Sequence, residues 1–242
     1  MKIIYCFLTY QHITRIDLWN TYFRNQSTND YSVYIHPKNT FDTSYYDFPI
    51  HIINHRIETK SKTDISIVRA TLQLFREAYE NELEGTHFIF LTQSCMPLYT
   101  FEEHKKILSK ISQSFISCIQ GNKINRYSSL SPLLKRYIPS HLFYKQQPNM
   151  ILIREDVEWF IQNDYTKYFE RMECPDEHYF INIMIYLYRK KFIKQQTHFC
   201  NPILSRTQAI HFPYISKELI IKCKCYGFLF LRKVSENTII CV

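Results

Sequence analysis

"HFIFLTQSCMPLY", residues 87–99, joins two unlike pieces of chain. Residues 87–92 are of strand length, and the four between His87 and Thr92 are all apolar. Residues 93–99 turn polar and carry a proline. An apolar run without alternation fits a strand covered on both faces. The stretch therefore predicts a central strand that delivers a loop at its C-terminal end. The flanks extend this reading. Upstream, residues 63–82 put Ile65, Val68, Leu72, Phe75 and Tyr79 at helical spacing, with Asp64 near the start and Gly85 beyond the end. Downstream, residues 101–110 read as another helix and "SFISCI" (114–119) as another strand.

Farther out the same alternation continues. "KIIYCFLTY" (2–10), "YSVYIHP" (31–37) and "HIIN" (51–54) predict three earlier strands, with "IDLWNTYF" (16–23) a short helix between the first two. "NMILI" (149–153) predicts a later strand. Residues 155–168 and 175–188 each predict a helix, the second with Pro175 in its first turn. A helix near 216–224 and the apolar stretch "GFLFLRKV" (227–234) close the pattern. Residues 121–148 mix basic, polar and proline residues with few apolar runs, a composition suited to substrate contacts. No repeat or flexible linker interrupts the chain. Strands alternating with helices predict one α/β domain built on an open sheet.

Composition narrows the function classes. At 242 residues, 45% hydrophobic and 21% charged, the chain has a core to bury and is not disordered. The net charge of +8 favours an anionic partner. The basic residues are scattered and form no aromatic–basic platform, so a nucleic acid is not the expected partner. The eight cysteines are irregularly spaced and contain no C-x-x-C, which speaks against zinc and for reduced thiols. Neither a signal peptide nor a stretch of membrane-spanning length is found, so a cytoplasmic protein is expected. The only glycines are Gly85, Gly121 and Gly227, too few for a phosphate-binding P-loop or a G-x-G-x-x-G turn. No Asp-x-Asp pair is present to hold a metal–diphosphate. A phosphorylated substrate must then be met by side-chain cations.

One acidic stretch stands out. In "ECPDEHYF" (173–180), Asp176, Glu177 and His178 follow Pro175. Carboxylates in a first helical turn meet free N–H groups and the positive end of the helix. A general base needs more, namely a cleft and a substrate hydroxyl within reach. The residues alone leave both readings open.

Six segments, taken in order, resemble the family-14 glycosyltransferases, which include the core-2/I-branching β-1,6-N-acetylglucosaminyltransferases and protein xylosyltransferases. They are "YCFLTYQH", "YSVYIHPK", "HRIETKSKTDISIVRATLQLF", "HFIFLTQSCMPLYTFEE", "CPDEHYF" and "GFLFLRKVS". The resemblance is thin over 120–148 and 196–222. It implies a GT-A-like fold, an open mixed sheet flanked by helices. The nucleotide-binding half would fall in about 1–120 and the acceptor half in about 121–242. It also implies inverting, metal-independent transfer of a sugar, GlcNAc being the expected one, from a UDP-sugar to a hydroxyl of an acceptor glycan. Glu177 matches the family's catalytic base. Asp176 is expected to cap the helix and His178 to orient or pack, with both beside the acceptor. Lys233 matches a lysine that meets the diphosphate, and Arg232 precedes it. The second diphosphate cation is expected at Arg206, with Lys222 as the alternative. Thr9, His12, His36, Arg56 and the loop from Ser94 to Pro97 are expected around the uridine, and Lys145 at the acceptor. His36 departs from the aspartate of the branching enzymes. Animal members are membrane-anchored, whereas this chain reads as the catalytic domain alone. A non-catalytic glycan- or nucleotide-binding module of the same fold is the alternative, and a basic nucleic-acid-binding protein is a third.

Overall fold

The computed structural model describes residues 1–61, 64–120, 124–200 and 210–241. The strands, in chain order, begin with β1 (Lys2–Thr9), β2 (Tyr31–Pro37), β3 (His51–Ile52), β4 (Gly85–Thr92) and β5 (Cys95–Pro97). They continue with β6 (Phe115–Ile116), β7 (Ile119–Gln120), β8 (Tyr144–Lys145) and β9 (Met150–Ile153). The last are β10 (His198–Cys200), β11 (Tyr214–Ile215), β12 (Phe230–Arg232) and β13 (Ile239–Ile240). The helices are α1 (Ile16–Phe23), α2 (Ser66–Asn81), α3 (Phe101–Leu108), α4 (Ile124–Ser128), α5 (Pro132–Lys135), α6 (Arg154–Gln162), α7 (Tyr179–Ile183) and α8 (Lys217–Cys225).

The main sheet runs β3-β2-β1-β4-β9-β6. Its first four strands are parallel, and β9 and β6 pair antiparallel to their neighbours. This is the open mixed sheet expected of a GT-A-like fold. A period of two divides each strand between two cores. Ile4 and Cys6 of β1, Phe88 and Phe90 of β4, and Met150 and Leu152 of β9 face one core with α2, α6 and α7. Ile3, Tyr5 and Phe7, Ile89 and Leu91, and Ile151 face the other with α1 and α3. Both faces are covered, which is why these strands read as unbroken apolar runs. A second sheet, β10-β12-β5, sits over the end of the first and carries its own smaller core.

Local chemistry sets several ends. Thr100 and Glu103 form a reciprocal capping box at the start of α3. Ser216 caps α8 by accepting from Leu219 N–H. Gly85 opens β4 where an added Cβ would stand 2.9 Å from Ile4 Cγ1.

Two expected helices are broken. Residues 155–168 end as a helix at Gln162, and Asp164 Oδ1 then accepts from Thr166 N–H at 2.7 Å to start a separate 3-10 turn. Residues 175–188 form a 3-10 turn (Pro175–Glu177), then α7, then a π-helical turn (Met184–Tyr188). The break falls at His178, whose backbone leaves the helical region (φ −133°, ψ −24°). Its ring is held elsewhere, stacked on Phe143 with centroids 4.6 Å apart. All eight cysteines are free. Among the described residues no helix is long and apolar enough to cross a membrane.

Candidate active site

Strand β1 has β2 on one side and β4 on the other, so the chain leaves it in opposite directions. Open α/β sheets bind ligands at such a point, outside the C-terminal ends of the strands. A cavity of about 360 Å³ opens there. Leu8 and Thr9 at the end of β1, Lys38 just after β2, and Thr92 to Ser94 from the last residue of β4 onward form its floor. Thr59 to Ser61, Pro148 and Asp176 line its sides, and Arg232 and Lys233 come from the end of β12. Lys38, Lys60, Arg232 and Lys233 thus face a single carboxylate, Asp176. Such a cavity favours an anion.

The cations are held in different ways. Arg232 is buried, and its Nη1 donates to Asn149 Oδ1 at 2.6 Å. Asn149 is fixed in turn by donating to Phe90 O at 3.2 Å. Arg232 Nε has no hydrogen-bond partner among the described residues, and neither has Thr9 Oγ1. Burial, and then the neighbouring Arg232 charge, lower the Lys233 pKa. Lys38 Nζ donates to Lys60 O at 3.4 Å and lies over the Tyr10 ring.

The Pro175–Glu177 turn separates two adjacent carboxylates. Cys174 enters it in the left-handed region (φ 51°, ψ 59°), a conformation that costs a non-glycine residue roughly 1 kcal/mol. Asp176 lines the cavity, and its Oδ1 is shut off from water with no hydrogen-bond partner among the described residues. Burial, and then the Glu177 charge, push its pKa up to about 6. Glu177 does not line the cavity. Its Oε2 accepts from Arg126 Nη1 and lies 3.0 Å from Lys145 Nζ. Burial alone would raise its pKa, but these two cations hold it below the usual carboxylate range. His178 donates from Nδ1 to Tyr144 O at 2.8 Å, and its Nε2 lies 3.3 Å from Arg126 Nη1. Burial pushes its pKa down to about 4, so it is neutral and accepts from Arg126. His178 therefore fixes Arg126, and Arg126 fixes Glu177.

The structure gathers Thr9, Ser94, Asp176, Arg232 and Lys233 around one cavity. Glu177, His178 and Lys145 form a second cluster beside it. Asp176 was expected to cap a helix; no side-chain capping bond is made at this turn, and the carboxylate points into the cavity instead. His36 lies outside the lining. It is buried, and its Nε2 accepts from Ile57 N–H at 2.9 Å. Arg56 is exposed, and so is His12, which sits 3.5 Å from Glu236. Lys222 is exposed on α8, away from the cavity. Arg206 lies outside the described residues. The sequence reading missed Arg126, Asn149, Lys38, Lys60 and His211. Lys38 follows directly on a strand end and was findable by that rule; Arg126 meets Glu177 across 51 residues with no local signal. Among the described residues no group of three or more His, Cys, Asp or Glu side chains is gathered to share an ion.

A model of the Core-2/I-branching enzyme family matches residues 3–210. Glycosyltransferase BC10 of Oryza sativa subsp. japonica is 23% identical over 171 residues, 66% of this chain and 41% of that protein. The chain thus spans about two-fifths of the length of this curated relative. Among solved structures, the WbbM bifunctional glycosyltransferase superposes with a TM-score of 0.43 at 9% identity, covering 98% of this chain and 46% of that one. Mouse xyloside xylosyltransferase 1 does so with a TM-score of 0.40 at 12% identity, covering 82% and 88%.

Proposed function

Since the chain belongs to the Core-2/I-branching enzyme family, we propose that it is an inverting, metal-independent glycosyltransferase. It moves a sugar, GlcNAc in the first instance, from a UDP-sugar to a hydroxyl of an acceptor glycan. The observation that carries this reading is the cavity where β1 passes between β2 and β4, with four cations against one carboxylate. The nucleotide lies along the strand ends, between Thr9 and Ser94. Arg232 and Lys233 meet the diphosphate, whose charge grows as the bond to the sugar breaks; fixed cations at that place lower the barrier. These side-chain cations do the work that a bound metal does in other transferases, which supports metal independence. The proton acceptor comes from the Pro175–Glu177 turn, where the family pattern points to Glu177.

Calorimetry with UDP, UDP-GlcNAc and UDP-xylose, each with and without EDTA, tests the reading. Binding is expected in all three cases, unchanged by EDTA. Arg232→Ala is expected to weaken UDP about a hundredfold, as loss of a charge-assisted contact does. Absence of UDP binding by the wild-type chain would end the proposal. UDP binding with no release of UDP from any donor, over a broad acceptor panel, would replace it with a binding module.

A further inference from the structure

The geometry points to a second carbohydrate-binding site, in a cavity between α5 and the π-helical turn Met184–Tyr188. It rests on the transferase reading above, which makes a glycan the polymer at hand, and it adds a place of binding apart from the place of transfer. The cavity measures about 350 Å³, enough for a small ligand. Tyr137, Tyr165, Tyr168 and Tyr186 line it, together with Leu133 and Arg189, and no lining residue is acidic.

The chain takes an unusual course to build this place. Helix α7 runs on into a π-helical turn, a rare form that often marks functional positions. Arg189 N–H closes the turn by donating to Met184 O at 2.9 Å, and Arg189 itself enters the left-handed region (φ 56°), which non-glycine residues avoid. Tyr186 and Leu187 of the turn both line the cavity. The rings are also fixed in advance. Tyr186 OH donates to Leu142 O at 2.6 Å. Tyr165 stacks on Trp159 with centroids 6.2 Å apart, and Trp159 stacks on Tyr188 at 4.3 Å. Ser131 N–H donates to Tyr168 O at 3.2 Å and so docks the start of α5 on the tyrosines. Rigid aromatic groups lose little freedom when a ligand arrives. Polar capacity is left over beside them. The hydroxyls of Tyr137, Tyr165 and Tyr168 make no hydrogen bond among the described residues, and Arg189 donates only from Nε, to Tyr186 O at 3.2 Å.

A pyranose ring presents an apolar C–H face and a rim of hydroxyls. Tyrosine answers both, ring to face and O–H to rim, and a guanidinium adds donors for the rim. A cationic partner would need a carboxylate in the lining and finds none. An extended peptide would need a strand edge, and no lining residue belongs to a strand. Two segments link the cavity to the Arg126–Glu177 pair. Leu133 and Tyr137 follow α4, which carries Arg126, and Tyr186 follows Glu177 through α7. Some ten helical residues measure about 15 Å. A chain of several sugars spans that distance, and a single sugar does not.

The test applies the full chain to a printed array of plant, animal and bacterial glycans, without UDP. Wild type, Tyr137→Ala and the double variant Tyr137→Ala with Tyr168→Ala are compared, with UDP calorimetry and thermal melts beside them. The wild type is expected to hold oligosaccharides and to release the corresponding monosaccharides. Apparent affinity is expected to fall about tenfold in the single variant and about a hundredfold in the double one, with UDP affinity unchanged in both. Tyr137 is 52% exposed, so the single variant decides the matter should the double one fail to fold. Three results overturn the site: no glycan held by the wild type, equal retention of Tyr137→Ala, or a wild-type dimer in sedimentation that Tyr137→Ala dissociates, which would give this face to a second copy of the chain. A wild type that holds glycans but binds no UDP would remove the transferase reading and leave this site standing.

Discussion

Asp156 is fully buried and Asp176 half-buried, and the molecule treats them oppositely. At the start of α6, Asp156 Oδ2 accepts from Ser114 Oγ, and Oδ1 pairs with Lys190 Nζ at 2.8 Å. Lys190 also reaches Glu155 at 2.7 Å, and Ser114 Oγ accepts from Ile153 N–H at 3.0 Å. Asp156 and Glu155 are thus ion-paired to Lys190, although Asp156 Oδ1 and Lys190 Nζ meet outside hydrogen-bond geometry. Around the cavity, Asp176 Oδ1, Arg232 Nε and Thr9 Oγ1 have no partner among the described residues. Buried polar groups are paired as a rule because leaving one unpaired costs about 1–3 kcal/mol. The paired cluster ties helix to strand. The unpaired one belongs to residues that line the cavity, and it costs stability.

The largest expected effect breaks the paired side. Lys190→Ala strands a fully buried Asp156 carboxylate and is expected to destabilise the fold by about 4 kcal/mol, as removing one partner of a buried pair does. Urea denaturation measures this, and a loss below about 1 kcal/mol would erase the contrast. The second effect has the opposite sign. Asp176 is raised from 3.8 to about 6 on folding. Stability carried by its neutral form is therefore whole below about pH 4 and is lost as the pH rises to about 6. Asn stays neutral, so Asp176→Asn should be more stable than the wild type at pH 7.5, by roughly 3 kcal/mol at most. Thermal melts at pH 7.5 and pH 4 should show the gain and its disappearance; a variant less stable at pH 7.5 would refute it. The smallest effect isolates burial from pairing. Arg69 lies 2.5 Å from Glu170, but both are about half exposed. Arg69→Gln should change stability by less than about 0.5 kcal/mol, and a loss near that of Lys190→Ala would make pairing, not burial, the variable.

Legibility in the sequence divides along a similar line. Strands β1, β2, β4 and β9 were readable because each is covered on both faces and must be apolar throughout. Helix α1 fell on residues 16–23 as read, and α2 and α3 within a few residues, since their apolar periods face one core. The fracture at His178 was not readable. It depends on a ring stack with Phe143 and a bond to Tyr144 O, partners more than 30 residues upstream. Arg232 and Lys233 could be singled out beside an apolar run. Their meeting with Asp176 could not, because the second sheet alone brings β12 over the first. The two carboxylates of "PDE" look equivalent in one dimension; the backbone sign at Cys174 separates them, and no residue type announces it.

Strand β12 is the middle member of its sheet, between β10 and β5, and it comes late in the chain. Translation runs from the N-terminus, and compact units fold as they emerge. All six strands of the main sheet are therefore made before Arg232 and Lys233 leave the ribosome. A nascent chain can hold the sheet and the Pro175 turn while its cavity still lacks two of its four cations. Ligand capture is thus separated in time from folding of the main sheet, and the anion cannot serve as the template on which that sheet assembles.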